Sequence, residues 1–94
     1  MAFRILRSVA TRRFWDKFAA LPPDVQTLAH RAYAIWLKDP QHPSLRFRVL
    51  AGSSNRVSVR VGIHYRVLGR IEGDTITWVW IGSHAEYDRL VQSK

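Results

Sequence analysis

The chain has 94 residues, 47% of them hydrophobic and 12% aromatic, a composition typical of one folded domain rather than a disordered segment. Its 15 lysines and arginines outnumber seven acidic residues and give a formal charge of +8, which favours a polyanionic or acidic partner. It contains no cysteine, which excludes a disulfide framework and thiolate chemistry. No apolar run approaches the roughly 20 residues of a membrane span. We therefore expect one cytoplasmic domain, residues 1–94.

The first forty residues predict a short strand followed by two helices. Phe3–Leu6 is expected to form the strand. Thr11 is a plausible N-cap for the first helix. Apolar residues at helical spacing define the two helices, Phe14, Phe18 and Leu21 in the first and Val25, Leu28, Ala32, Ile35 and Trp36 in the second. Pro22–Pro23 separates them, and the second is expected to end near Lys38–Pro40 because proline disfavours helix at the preceding residue. The pair is predicted to form a helical hairpin.

The remaining residues alternate in the way that predicts strands. After a loop at 41–44, Leu45–Val49 is expected to be a strand, and the run Val57–Val67 places valines on one face and polar residues on the other. Gly62 is expected to divide that run, and Gly73 to form the next turn. Thr75–Ile81 is apolar at nearly every position, as in a strand covered on both faces.

The order of these elements predicts an α+β fold. It comprises an N-terminal strand, a two-helix hairpin, a three- to four-stranded antiparallel sheet and a short helix that runs to Leu90. Four tryptophans match the apolar periodicity and are expected in the core: Trp15, Trp36, Trp78 and Trp80.

Arginines at alternating positions of neighbouring predicted strands are expected to share one sheet face: Arg46, Arg48, Arg60 and Arg66. Guanidinium groups bind phosphate bidentately and remain charged at neutral pH. No acidic residue is interleaved among them, so ion pairing explains the row poorly. The row therefore favours contact with an RNA backbone over a merely solvated surface.

His84 follows the predicted buried strand, where a turn would expose it. Its imidazole is suited to proton transfer in phosphodiester cleavage, whereas the structural alternative is that His84 or Ser83 caps the last helix. Tyr87 is one helical turn further on and either stacks on a base or packs beneath the C-terminal turn. His64, beside Arg66, is a further candidate for proton transfer or RNA contact. The histidines lack a spaced ligand set, so neither a metal nor another cofactor is predicted.

Short segments in a characteristic order resemble the RelE/ParE superfamily of bacterial toxins. They are Leu21-Pro22, Asp39-Pro40-Gln41-His42-Pro43-Ser44-Leu45, Tyr65-Arg66-Val67, Gly69, Gly73-Asp74, Trp78-Val79-Trp80-Ile81 and Gly82-Ser83-His84-Ala85-Glu86-Tyr87. The resemblance covers nearly the whole chain. It implies a fold like that of microbial ribonucleases and, in the RelE branch, ribosome-dependent cleavage of mRNA by attack of a 2'-hydroxyl on the adjacent phosphate. It also implies a cognate antitoxin as partner.

The resemblance assigns roles to individual residues. Arg66 is similar to the arginine that stabilises phosphate charge, and Arg60 to a basic residue of the active face. His84 is similar to a histidine that acts as general acid, and Tyr87 to a tyrosine that positions RNA. Ser58 stands where well-known ribonuclease members carry lysine, and His84 where some carry arginine, so the general base stays unassigned.

Three hypotheses follow for the function. The first is an mRNA-cleaving toxin of a type II toxin–antitoxin pair, acting on the ribosome without a metal. The second, implied by the ParE branch, is an inhibitor of DNA gyrase that does not cut RNA. The third is a basic RNA-binding module without catalysis.

Overall fold

A computed structural model describes residues 5–92, which form three α-helices and a five-stranded sheet. The elements in chain order are β1 Arg7–Ala10, α1 Arg12–Ala19, α2 Pro23–Lys38, a 3-10 turn Pro43–Leu45, β2 Arg48–Val49, β3 Arg56–Val61, β4 Tyr65–Glu72, β5 Thr75–Ser83 and α3 His84–Gln92. The predicted α+β class is confirmed. None of the helices in this range is long and apolar enough to cross a membrane.

The strand order in the sheet is β1-β5-β4-β3-β2. The four strands from β2 to β5 pair antiparallel, and β1 joins the edge of β5 in parallel. An N-terminal strand is present, but the predicted bounds, Phe3–Leu6, were wrong. Ile5 and Leu6 precede the strand, and Phe3 lies outside the described residues. Strand β1 is a short edge strand, and it begins where it can pair with Thr75–Trp78 of β5. The alternation of apolar and polar residues near the N-terminus does not determine its start.

The helical hairpin forms largely as predicted. Thr11 caps α1, because its side-chain oxygen accepts a hydrogen bond from the Phe14 amide at 3.1 Å. The side-chain nitrogen Nε2 of Gln26 donates to the backbone carbonyl of Phe18 at 3.0 Å and to that of Leu21 at 3.3 Å. These hydrogen bonds join the start of α2 to the end of α1. Helix α2 ends at Lys38, as expected before Asp39-Pro40.

The sheet is apolar on both faces because β5 contains a bulge. Its register with β4 shifts between Leu68 and Gly69, so that Leu68 faces Trp80 while Gly69 faces Trp78. The extra residue, Val79, reverses the alternation. Trp78 consequently joins the main core beneath α1 and α2, whereas Trp80 joins a smaller cluster with Leu68 and Tyr87 on the α3 side.

Two other predictions about this scaffold were wrong. Only Arg48–Val49 of the expected strand Leu45–Val49 pairs with β3, because Leu45 lies in the 3-10 turn and Arg46 takes a left-handed φ of 45°. Trp15 is 50% exposed rather than core. Its ring packs edge-on against Phe14 and Phe18 at the surface of the protein.

One side chain expected on the polar face of β3 is buried. Ser58 is 2% exposed and lies opposite Leu68, so the small cluster under α3 covers this part of the face. Of the two arginines that alternate with Ser58 along β3, Arg56 is exposed at the start of the strand and Arg60 is partly exposed towards its end. The cover over Ser58 therefore separates the basic surface around Arg60 from the exposed Arg56.

Candidate active site

Basic side chains surround a groove of about 450 Å³ at the end of the sheet where β5 passes into α3. Its lining consists of Arg46, Arg48, Arg60, Ile63, His64, Arg66 and His84. Every residue that the sequence predicted for the site, except Tyr87, lines this groove. Arg46 reaches it from the left-handed turn rather than from a strand. The groove lies on the side of the sheet that carries α3, since the Arg66 guanidinium packs near Tyr87.

Arg60 and Arg66 are directly opposite each other in the antiparallel pair β3–β4. Like charges at such positions are destabilising, by roughly 0.2–1 kcal/mol. Among residues 5–92, no carboxylate oxygen lies close enough to either guanidinium, within 4.0 Å, to form a salt bridge. The fold therefore maintains an unneutralised pair of cations, an arrangement that an oxyanion would stabilise.

Both guanidinium groups are held by backbone carbonyls. Nε of Arg60 donates to the Gly62 carbonyl at 2.9 Å, and Nη1 of Arg66 donates to the Tyr65 carbonyl at 3.0 Å. Burial lowers the pKa of Arg66 below its usual value, and the charge of Arg60 lowers it further. The guanidinium remains charged at neutral pH. A phosphate bound beside it would favour the charged form and so oppose both effects.

The turn from β5 into α3 is fixed by a capping box. The Ser83 hydroxyl accepts a hydrogen bond from the Glu86 amide at 3.1 Å, and a Glu86 carboxylate oxygen accepts from the Ser83 amide at 3.2 Å. The His84 amide donates to the His64 carbonyl at 2.6 Å, which joins the start of α3 to the β3–β4 turn. Of the two capping alternatives, the structure supports Ser83. The His84 side chain is left free to line the groove.

The His84 imidazole has one partner among the described residues. Its Nδ1 lies 3.2 Å from a carboxylate oxygen of Asp88, one helical turn along α3, and both side chains are 45% exposed. The sequence analysis did not single out Asp88. The i, i+4 spacing from His84 was the available signal. Ile63 is 69% exposed at the turn beside the groove. The sequence placed it only among the alternating apolar residues of the run Val57–Val67.

Tyr87 occupies a different position from the one expected of an RNA-stacking residue. It is 3% exposed, with its ring centre 6.3 Å from that of His84 and 5.9 Å from the Arg66 guanidinium carbon. A ring so enclosed offers no open face for a base. Of the two roles considered for Tyr87, the geometry supports packing beneath the helix, where the ring supports two groove residues from below.

A second, apolar groove of about 190 Å³ lies between β1, α1 and α2. Its exposed lining includes Val9, Trp15 and Tyr33. Its deeper wall reaches main-core residues such as Trp36, whose indole nitrogen has no hydrogen-bond partner in the described structure. Within the same residues, no three His, Asp or Glu side chains are grouped so as to hold a metal ion.

The comparisons with a family model and with solved structures agree on the fold. The family model described as "ParE-like toxin domain" matches residues 23–89. Comparison with curated protein sequences gave no match. Among solved structures, the chain is similar to one from the RelB–RelE antitoxin–toxin complex of Methanococcus jannaschii, with a TM-score of 0.69 at 18% identity over 85% of this chain and 95% of that one.

Two bacterial structures are similar to a comparable degree. The RelBE2 toxin–antitoxin complex of Mycobacterium tuberculosis gives a TM-score of 0.64 at 20% identity, covering 83% of this chain and 96% of the other. The isolated RelE toxin of Escherichia coli gives 0.63 at 13% identity, covering 92% and 95%. At such identities these similarities establish the fold alone.

Proposed function

The chain belongs to the family of ParE-like toxin domains, and from this membership together with its basic groove we propose that it is an mRNA-cleaving toxin that acts on translating ribosomes. The observation that carries the proposal is the juxtaposition of opposed Arg60 and Arg66 with the imidazole of His84 at one end of the sheet. Cations alone would suit any polyanion, whereas cations beside a proton donor suit phosphodiester cleavage.

The proposed reaction needs no metal. The 2'-oxygen of one nucleotide attacks the adjacent phosphorus, and the bond from phosphorus to the 5'-oxygen of the next nucleotide breaks. The products are a 2',3'-cyclic phosphate and a new 5'-hydroxyl. Arg66 and Arg60 stabilise the charge that develops on the phosphorane oxygens. His84 gives its proton to the leaving 5'-oxygen.

The proton of the attacking 2'-hydroxyl also needs an acceptor. His64 is the other imidazole that lines the groove, and its carbonyl is hydrogen-bonded to the His84 amide. We assign it to proton acceptance or to contact with the RNA. Arg46 and Arg48 are assigned to contacts with the RNA backbone, because they line the same groove.

A second candidate function is inhibition of DNA gyrase without RNA cleavage, which the resemblance to the ParE branch implies and to which the match with a ParE-like toxin domain gives equal support. A paired assay separates the two. Purified chain is added to a bacterial translation extract with a defined mRNA, and in parallel to gyrase with relaxed plasmid. Cuts mapped within the translated message, with supercoiling unaffected, are the expected result. Intact message with inhibited supercoiling would favour gyrase, and RNA binding without either activity would favour a non-catalytic module.

As partner we propose an antitoxin, because two of the similar structures are complexes of that kind. An acidic segment of the antitoxin would complement the basic groove, and an apolar segment would fit the groove beside α1, where Trp15 and Tyr33 are exposed. Trp15→Ser should weaken binding of the cognate antitoxin while mRNA cleavage persists. Leu37→Ser, an exposed residue of α2 outside this groove, is the matched control. Equal binding by wild type and Trp15→Ser would contradict docking there.

A further inference from the structure

We propose that Asp88 is a positioning residue for proton transfer, because its carboxylate keeps the proton of His84 on Nδ1 and leaves Nε2 to serve the phosphodiester in the basic groove. The inference rests on the proposed ribonuclease function and extends it to a residue outside the groove lining. Asp88 would act only through His84 and would not touch the RNA.

The contact between the two side chains favours one position for the imidazole proton. Nδ1 of His84 lies 3.2 Å from Oδ2 of Asp88, within the distance of an ion pair. An ionised carboxylate is an acceptor only, so a proton on Nδ1 is the one that this contact stabilises. Nε2 has no protein partner among the described residues, and His84 lines the groove. The pairing therefore assigns one nitrogen to the protein and the other to a substrate, as a carboxylate–imidazole pair does elsewhere in catalysis.

The imidazole is held at its backbone end as well. The His84 amide donates to the His64 carbonyl, and the Ser83–Glu86 box fixes the helix start from which His84 projects. With the backbone and Nδ1 both restrained, little freedom of the ring is left to be lost when RNA binds. Asp88 remains available for this contact because no arginine lies within salt-bridge distance of it in residues 5–92.

The charges around His84 explain why a carboxylate is useful there. The leaving 5'-oxygen requires an imidazole that is protonated on Nε2 as well as on Nδ1, and a carboxylate can accept from Nδ1 in that form. The groups that face the imidazole are Arg46 and Arg48 from the segment leading into β2, Arg60, His64 and Arg66 from the β3–β4 hairpin, and Tyr87 and Asp88 from α3. Within this set, Asp88 is the carboxylate.

Nitrogen-15 NMR of histidine-labelled protein tests the pairing directly. At a pH where the imidazole is neutral, wild-type His84 should carry its proton on Nδ1, whereas Asp88→Asn should shift the population towards Nε2–H. Asp16→Asn removes one exposed carboxylate from α1, outside the groove lining, and should leave the tautomer unchanged. An Nε2–H tautomer in the wild type, or the same tautomer in wild type and Asp88→Asn, overturns the proposal.

Single-turnover cleavage by the full chain on programmed ribosomes tests the consequence. Asp88→Asn should lower the rate by about 10- to 100-fold. Asp88→Glu should restore part of the rate, and Asp16→Asn should keep the wild-type rate. An unchanged rate in Asp88→Asn overturns the positioning role. A wild type that cleaves no RNA contradicts the proposed function instead, while the tautomer measurement still decides whether Asp88 orients His84.

Discussion

The guanidinium of Arg66 lies 5.9 Å from the centre of the Tyr87 ring, which is buried under α3. A cation this close to an aromatic face is attracted to the ring. Tyr87 therefore supports an arginine of the groove, and its influence on RNA is expected to pass through Arg66.

Replacing Arg66 should abolish cleavage while the fold persists. Loss of a group that stabilises transition-state charge costs about 10²- to 10³-fold in rate. The fold should tolerate Arg66→Ala because removal of one of two opposed cations relieves repulsion with Arg60. Cleavage rate and thermal melting should be measured together. Arg70→Ala, on the same strand but paired with Glu72, is the control and should remain active. Full activity of Arg66→Ala would remove this residue from the site.

Substitutions of Tyr87 should separate packing from direct RNA contact. Tyr87→Phe keeps the ring beneath Arg66 and His84, so its cleavage rate should stay within about threefold of wild type if packing is its role. Tyr87→Ala should lower the free energy of unfolding by about 3–5 kcal/mol, measured by denaturant titration. A large loss of cleavage in a stably folded Tyr87→Phe would show that the hydroxyl itself serves the reaction.

Gly82 should be intolerant of any side chain because of the bulge. A Cβ there would lie 2.5 Å from Cζ2 and 2.7 Å from Cη2 of Trp80, a ring enclosed in the small cluster. Overpacking of this kind costs about 1–3 kcal/mol, so Gly82→Ala should lower the melting temperature. In a double-mutant cycle, Gly82→Ala should lower the free energy of unfolding less in the Trp80→Phe variant than in wild type. Additive effects would indicate that the ring is not the obstacle.

The capping box should make stability depend on pH at the acid end. Hydrogen bonds from the Ser83 amide, and then from its hydroxyl, lower the pKa of Glu86 from 4.5. A folded-state pKa below the unfolded value stabilises the protein above about pH 4.5, and this contribution disappears as pH falls through the folded value. The effect should be small, since the carboxylate is well exposed. Denaturant titrations should show wild type and Glu86→Gln converging in stability towards pH 3, and parallel curves would contradict the assignment.

The sequence predicted those parts of the fold that depend on local chemistry. The Thr11 cap, the end of α2 and the turns at Gly62 and Gly73 follow from the preferences of single residues, and they form as expected. It did not predict features decided by distant pairing. The start of β1 depends on β5, and the shortness of β2 depends on the left-handed turn at Arg46.

The same distinction explains which site residues were found. Alternation along β3 and β4 was enough to group Arg60 with Arg66, because their register follows from a short turn between them. The sequence left Tyr87 between stacking on a base and packing beneath the helix, because its burial depends on the bulge that moves Trp80 to the α3 side. Asp88 was overlooked because a single acidic residue on a short helix carries no signal until its partner's role is considered.

The most direct test of the groove as a ribonuclease site is a comparison of two mRNA substrates, one normal and one with sulfur in place of the leaving 5'-oxygen at the mapped cleavage position. A thiolate leaves without needing a proton. Wild type should cleave both substrates, whereas His84→Ala should be slowed by about 10²-fold or more on the oxygen substrate and restored on the sulfur one. Equal slowing of the variant on both substrates, or no slowing on either, would contradict proton donation by His84 and with it the proposed use of the groove.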